Sequence, residues 1–160
     1  MIPDAYAISR WPLGPVGAAV TLSNGYPFDS ADFGDTGDCP LVRIRDLDSA
    51  EFSTYINGPV PEAALLRNGD LVVGMDGDFR VARWTRGVAA LNQRLCRLRA
   101  RADTDLRFVA YALPAALSQI GAAQHATTVR HLSSGEILTS RIPSPPVEEQ
   151  RRVADFLDDQ

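Results

Sequence analysis

The chain lacks lysine, since all 16 of its basic residues are arginine. A phosphate-binding P-loop needs a lysine, Schiff-base chemistry needs an amine, and many nucleases use a lysine beside their carboxylates. These three kinds of site are therefore excluded. A Gly-rich phosphate loop between a strand and a helix is also missing, so the sequence offers no cofactor site.

Cysteine is scarce, and long apolar runs are missing. Cys39 and Cys96 do not form a C-x-x-C motif, and in a reducing compartment we expect two small buried hydrophobic residues rather than a disulfide or metal pair. No apolar run approaches the roughly 20 residues of a transmembrane helix. The N-terminus lacks the basic and apolar segments of a signal peptide. We therefore expect a cytoplasmic protein with no membrane partner.

Residues that could carry catalysis have structural explanations. Asp70, Asp76 and Asp78 could hold Mg²⁺ as in a nuclease, but each lies beside a glycine, in the Asp-Gly pattern typical of turns. His125 and His131 have no acidic or thiol partner at metal-binding spacing, and no serine or cysteine lies in a nucleophile motif. The sequence predicts no catalytic centre and no metal site.

What is present is an ordinary globular composition, with 45% hydrophobic and 22% charged residues in a chain of 160. Alternating patterns predict strands at 17–22, 41–45, 71–75, 79–84 and 90–100. A helical period follows Thr104 and Asp105, with Pro114 as a kink and Gly121 as a stop. Ser133 begins a capping-box pattern, and Ser144 is predicted to cap a last helix. These elements predict a mixed α/β (α+β) domain with a curved, mostly antiparallel sheet and a few helices.

Charge is unevenly distributed along the chain. The net charge of −4 argues against nucleic acid. Seven arginines, however, fall between residues 80 and 101 without an acid, and the period of two puts Arg97, Arg99 and Arg101 on one strand face. Charge alone leaves two interpretations open, a face that contacts phosphates and a solvated sheet face.

Six segments together carry a resemblance to a known family, and the most specific of them is the last. They are 24–28 (NGYPF), 40–46 (PLVRIRD), 68–77 (NGDLVVGMDG), 91–94 (LNQR), 128–133 (TVRHLS) and 142–157 (IPSPPVEEQRRVADFL). From about Trp11 to its end the chain resembles the target-recognition half of the specificity subunits of type I restriction-modification enzymes.

The resemblance implies a DNA target-recognition domain at 1–143 and the start of a conserved spacer and docking helix at 144–160. Such a domain reads one half-site of a bipartite sequence in double-stranded DNA and has no catalytic activity of its own. The implied partners are the modification (methyltransferase) subunit, which would bind the S-adenosylmethionine, and the restriction subunit. The last helix stays amphipathic without a C-cap signal, and the resemblance implies that further spacer and a second recognition domain follow it.

Candidate DNA contacts follow from side-chain chemistry, since arginine pairs with guanine O6 and N7 while asparagine and glutamine pair with adenine N6 and N7. The candidates are Tyr26, Arg43, Arg45, Arg80, Arg83, Trp84, Arg86, Asn92, Gln93, Arg94, Arg97 and Arg99. For Tyr26, Asn92 and Gln93 a role in turn geometry is the alternative, and for Trp84 the alternative is packing in the core.

The last helix supplies candidate contacts with another subunit, although packing on its own domain is the alternative. These candidates are Glu149, Gln150, Arg152, Val153, Phe156 and Leu157. Two other functions remain open. One is a protein-interaction module of a phage-defence system, with the same fold, whose arginine face binds an acidic protein. The other is a methyltransferase-like enzyme that binds S-adenosylmethionine, for which no motif is found.

Overall fold

The computed structural model describes residues 10–124 and 130–160, and within these the chain forms eleven strands and three α-helices joined by loops and short 3-10 turns. The strands form a two-stranded, a four-stranded and a five-stranded sheet. The expected mixed α/β class with mostly antiparallel pairing is confirmed, although the strands are divided among three sheets rather than one.

The four-stranded sheet lies at the centre of the domain. In spatial order it contains β2 (Val20–Asn24), β10 (Leu95–Ala100), β7 (Leu71–Gly74) and β8 (Val81–Arg83), all antiparallel. Because successive side chains alternate, Leu71 and Val73 belong to one hydrophobic cluster and Val72 to another. Every residue of β7 is buried, as predicted for a central strand.

The five-stranded sheet covers one face of the central sheet. It contains, in order, β3 (Phe33–Gly34), β5 (Tyr55–Ile56), β4 (Cys39–Val42), β9 (Ala89–Leu91) and β6 (Leu65–Leu66). Val42 and Leu91 pack with Val72 and Leu95 of the central sheet in the second cluster. The pairing of β4 with β9 is parallel, so both strands end at the same edge of the domain.

Helix α1 (Leu106–Ala123) covers the other face, where Val109, Leu113 and Leu117 join the first cluster. The Asp105 carboxylate accepts the backbone N–H of Arg107 and caps the helix. The helix continues through Pro114 and includes Gly121, so the predicted stop is wrong by a few residues. Its 18 residues and mean hydropathy of 1.2 would suit a bilayer-spanning helix by length and composition, and five of its residues are buried against the domain.

The remaining elements complete the first cluster and the C-terminal end. Helix α2 (Ser134–Thr139) has the predicted capping box between Ser133 and Glu136. Strand β1 (Leu13–Pro15) pairs with β11 (Arg141–Pro143). Helix α3 (Val147–Asp158) begins after Pro146 without a side-chain cap, so the predicted cap at Ser144 is wrong. The domain boundary at residue 143 stays a prediction.

The predicted strand 41–45 ends at Val42. The Asp46 carboxylate accepts the backbone N–H of Arg43 at 2.9 Å and its Nε–H at 3.1 Å, and this cap turns residues 44–46 into a 3-10 helix. Arg43 and Arg45 therefore do not share a strand face. Both cysteines are buried as predicted, and burial raises the pKa of the Cys96 thiol to about 12.

Candidate nucleic-acid interface

Five chain segments converge at one edge of the domain, which we call the loop edge. They are 24–28, 43–48, 75–80, 92–94 and 130–134. Strands β2, β4, β7 and β9 end here, and β8 and β10 begin here. The backbone N–H of Met75 donates to the Arg94 carbonyl at 2.9 Å, and that of Leu132 donates to the Met75 carbonyl at 2.8 Å. Hydrogen bonds between segments thus hold the loop edge together.

The turn between β9 and β10 carries three polar side chains of this edge, those of residues 92–94. The Asn92 carbonyl accepts the N–H of Leu95 at 3.0 Å and its side-chain oxygen accepts that of Arg94 at 3.4 Å, so Asn92 has the turn role that was its alternative assignment. Gln93 and Arg94 are exposed. Tyr26, 46% exposed, follows Gly25 beside this turn. A Cβ on Gly25 would lie 1.8 Å from the Asn92 carbonyl oxygen, so only glycine allows this approach.

A carboxylate under this turn binds two exposed side chains. Asp76 Oδ2 lies 3.5 Å from Arg94 Nη1, and Asp76 Oδ1 lies 2.5 Å from His131 Nδ1. From the sequence alone, Asp76 is expected in a turn and His131 has no acidic partner at metal-binding spacing. The two residues are 55 positions apart, so no spacing rule could have paired them. His125 lies outside the described residues.

The candidate arginines of segments 43–48 and 75–80 differ in their availability. Arg45 is exposed at the loop edge, whereas Arg80 forms an ion pair with Asp48. Arg43 caps the 3-10 helix and donates to the hydroxyls of Ser53 (3.0 Å) and Thr54 (2.8 Å). Its side chain is therefore committed to local structure, and its assignment as a DNA contact is corrected.

Trp84 and Arg86 are structural residues, which corrects two further assignments. Trp84 is 2% exposed and its Nε1–H donates to the Gly87 carbonyl at 2.6 Å, so it cannot stack on a base. The Arg86 guanidinium lies 4.5 Å from the Trp84 ring centroid and donates to the carbonyl of Asp46 at 2.8 Å. It joins the 3-10 segment to the core.

The predicted arginine face is buried at Arg97 and paired at Arg99. Arg97 is 6% exposed and donates to the carbonyls of Glu62 (3.2 Å) and Leu65 (2.5 Å) between the two larger sheets. Burial lowers the pKa of its guanidinium, and the neighbouring Arg99 lowers it further. Arg99 binds the Asp70 carboxylate through two hydrogen bonds, of 2.7 and 3.0 Å. The period of two is correct, but the five-stranded sheet packs over Arg97, while the exposed Arg101 donates through its Nε–H to the carbonyls of Gly17 and Val20.

The end opposite the loop edge carries α3. Arg83, at the far end of β8, binds Asp158 of α3 at 2.6 Å, so it is distant from the loop edge candidates. The Tyr111 hydroxyl donates to the same carboxylate at 2.6 Å, and Arg107 Nη1 reaches it at 3.1 Å. The Arg83 hydrogen bond and then that of Tyr111 lower the pKa of Asp158 to about 2. This network fixes α3 to α1 and β8.

The candidate interface residues of α3 fall into three groups. Gln150 is buried, where its Oε1 accepts the N–H of Asp105 at 2.9 Å and its Nε2 donates to the Pro145 carbonyl at 3.0 Å, so its assignment to a subunit interface is wrong. Arg152 and Phe156 are exposed, the latter by 47%. The others, Glu149, Val153 and Leu157, are partly buried.

The described part of the chain contains no group of three His, Cys, Asp or Glu side chains arranged to hold a metal ion. Instead, two packed sheets form a frame whose converging loops present arginine, glutamine and histidine side chains. Loops held by a rigid frame are where proteins commonly place their binding or catalytic side chains. The chain belongs to the type I restriction modification DNA specificity domain family, whose family model matches residues 13–160.

Individual relatives agree with this membership. The chain is 41% identical over 143 residues to the type I restriction enzyme EcoBI specificity subunit of Escherichia coli, a match that covers 88% of this chain and 30% of that protein. The HsdS subunit from Thermoanaerobacter tengcongensis and the S subunit from M. genitalium have the same fold at 18% identity, with TM-scores of 0.69 and 0.70. These matches cover 99% of this chain but 38% and 40% of those subunits. The chain thus spans less than half the length of the relatives.

Proposed function

We propose that this chain recognises double-stranded DNA through the loop edge, as the reader of one half-site of a bipartite target in a type I restriction-modification enzyme. The observation that carries the proposal is the convergence of Arg45, Gln93 and Arg94 on hydrogen-bonded loops at one edge. Family membership and the 41% identity to a specificity subunit support it.

The chemistry of these side chains suits DNA. Arginine can bind phosphate oxygens or pair with guanine, and glutamine can pair with adenine in the major groove. The net charge of −4 does not prevent this, because binding depends on the charge at the contact surface. Arg97 is buried and Arg99 is paired with Asp70, so neither is part of the proposed surface.

The end with α3 suits attachment to other subunits. Phe156 is exposed on a helix that a network of ion pairs fixes to the domain. We propose that the methyltransferase and restriction subunits assemble at this end, in the cytoplasm, and that S-adenosylmethionine binds to the methyltransferase subunit. In this arrangement the chain itself is not an enzyme.

The test is a salt titration of the chain with a random-sequence duplex. Affinity should fall steeply with the logarithm of salt concentration, because each phosphate contact releases counterions. The double variant Arg45→Gln and Arg94→Gln should weaken binding and reduce that slope. The matched control, Arg67→Gln and Arg151→Gln, removes the same charge away from the loop edge and should change neither. No binding at low salt, or equal losses in both variants, would contradict the proposal.

The two other functions are less well supported. An acidic protein partner requires an accessible arginine face, and Arg97 and Arg99 of that face are occupied by internal carbonyls and by Asp70. The family match gives this function no support. A methyltransferase-like enzyme would bind S-adenosylmethionine by itself, and calorimetric titration of the chain with that cofactor should give no heat of binding.

A further inference from the structure

Asp76 is placed to orient side chains rather than to contact a ligand itself. Its side chain is 22% exposed, whereas those of Arg94 and His131, which it binds, are 59% and 61% exposed. A half-buried carboxylate thus restrains one side of the Arg94 guanidinium while most of that group remains in solvent. An arginine held in this way loses less conformational entropy when it forms a bidentate contact.

The turn that carries Asp76 is itself fixed. Gly77 has a φ of 72°, and Phe79 has a φ of 52°, which is unfavourable for a phenylalanine. Phe79 is nevertheless only 4% exposed and packs in the first cluster with Leu117. Core burial therefore maintains a strained backbone two residues after Gly77, and such strain is typical of positions where geometry serves a function.

A third restraint comes from the segment with His131. The Gly77 N–H donates to the Arg130 carbonyl at 3.2 Å, and Asp76 pairs with His131 as an isolated antiparallel bridge. Asp76 is therefore held by its own turn and by this neighbouring segment. Arg94, on the other side, is fixed at its backbone by the hydrogen bond from Met75 at 2.9 Å.

We propose that Asp76 is a positioning residue that holds Arg94 for bidentate recognition of a guanine, so that the recognised half-site contains a G·C pair at the β9–β10 turn. The inference rests on the proposed function and extends it to a particular base. A phosphate needs only a positive charge and tolerates many approaches, whereas O6 and N7 of guanine require an oriented fork. The second carboxylate contact, with His131, keeps Asp76 oriented toward Arg94.

The experiment selects bound sequences from a duplex library with a randomised central stretch. Wild-type chain should enrich a motif that includes a G·C pair. Arg94→Lys keeps the charge but loses the fork, and Asp76→Asn loses the carboxylate; both should lose the preference for guanine at one and the same position, by roughly ten-fold, and keep the rest of the motif. Asp35→Asn, at an exposed position outside the loop edge, is the matched control and should leave the motif unchanged.

A second measurement addresses the contact itself. Replacing that guanine with 7-deazaguanine removes the N7 acceptor, so it should weaken binding by the wild-type chain and have little effect on Arg94→Lys. An unchanged motif in both variants overturns the inference. A uniform loss of affinity without a change of motif also overturns it, since it identifies Arg94 as a phosphate contact. A wild-type chain that enriches no motif and shows no salt-dependent binding contradicts the proposed function instead.

Discussion

The arginine side chains have three different roles in this domain. The residues that surround each arginine decide which role it has. Arg97 is enclosed between two sheets and satisfies backbone carbonyls, while Arg107 joins three carboxylates around α3. Arg45 and Arg94 lie at the loop edge. A guanidinium has five N–H donors, so it can serve as a structural cross-link as readily as a ligand contact.

The buried role predicts a large effect of Arg97→Ala on stability. The substitution leaves the carbonyls of Glu62 and Leu65 without a donor and opens a cavity, so we expect the free energy of unfolding to fall by about 3 kcal/mol. Urea denaturation followed by circular dichroism measures it. The control Arg45→Ala, at an exposed position, should change stability by less than about 0.5 kcal/mol. Equal effects would show that Arg97 is not the cross-link described above.

At the scale of elements, the contact between segment 24–28 and the β9–β10 turn depends on a glycine. In Gly25→Ala the new Cβ would overlap the Asn92 carbonyl oxygen, which lies 1.8 Å from it, and the backbone must move. We expect a loss of stability of about 1–3 kcal/mol and weaker DNA binding, because Tyr26 and Gln93 would separate. Thermal unfolding and the DNA titration measure the two effects.

Gly135→Ala is the matched control for Gly25→Ala. It lies in helix α2, where the nearest atom that a new Cβ would meet is Ser133 Oγ at 4.0 Å. Alanine in a helix is favoured over glycine by roughly 0.5–1 kcal/mol, so this variant should be as stable as wild type or slightly more stable. If both alanine variants behave alike, the close approach at Gly25 does not determine the loop edge.

The attachment of α3 should be sensitive to acid. The pKa of Asp158 is lowered from 3.8 to about 2, first by the Arg83 hydrogen bond and then by that of Tyr111. A carboxyl whose pKa is lower in the folded state contributes stability above its unfolded value, and this contribution is lost as the pH falls through the folded value. We therefore expect the C-terminal end of α3 to be held less firmly as the pH falls from 3.8 to about 2.

Hydrogen exchange of the α3 amides across this pH range measures the loss of protection, after correction for the intrinsic pH dependence of exchange. Asp158→Asn should already show the weakened protection at neutral pH. Glu148→Gln, at the exposed start of the helix, keeps the Asp158 contacts and serves as the control. Wild-type protection that remains constant down to pH 2 would mean that the network does not hold the helix.

Local signals predicted much of the secondary structure. The capping box at Ser133 and the alternation on β10 depend on neighbouring residues, and the structure confirms them. The predicted strand 90–100 is wrong in one respect, because the turn at Asn92 divides it into β9 and β10. A period of two fixes which side chains share a face but not what packs on that face, so the burial of Arg97 was missed. The pairing of Asp76 with His131 was missed because only the tertiary fold brings those segments together.

At the scale of the whole molecule, the central sheet belongs to both major hydrophobic clusters. Leu71, Val73 and Leu98 pack with α1 in the first cluster, while Val72 and Leu95 pack with the five-stranded sheet in the second. Exposure of the first cluster removes α1 from one face of β7 and β10, and exposure of the second removes the five-stranded sheet from the other face. The loop edge and α3 lie at opposite ends of this shared sheet, so a rigid frame separates the proposed DNA surface from the proposed docking end.

The shared sheet predicts that both clusters unfold in one transition. In a Trp11→Phe chain, the fluorescence of Trp84 reports the second cluster, while far-UV circular dichroism reports mainly the helices. Their urea midpoints should coincide, as in two-state unfolding. Leu113→Ala removes a fully buried side chain of the first cluster and should cost about 2–5 kcal/mol. Because the clusters share β7 and β10, it should shift both curves equally; a shift confined to the circular dichroism would show that the two halves of the core unfold independently.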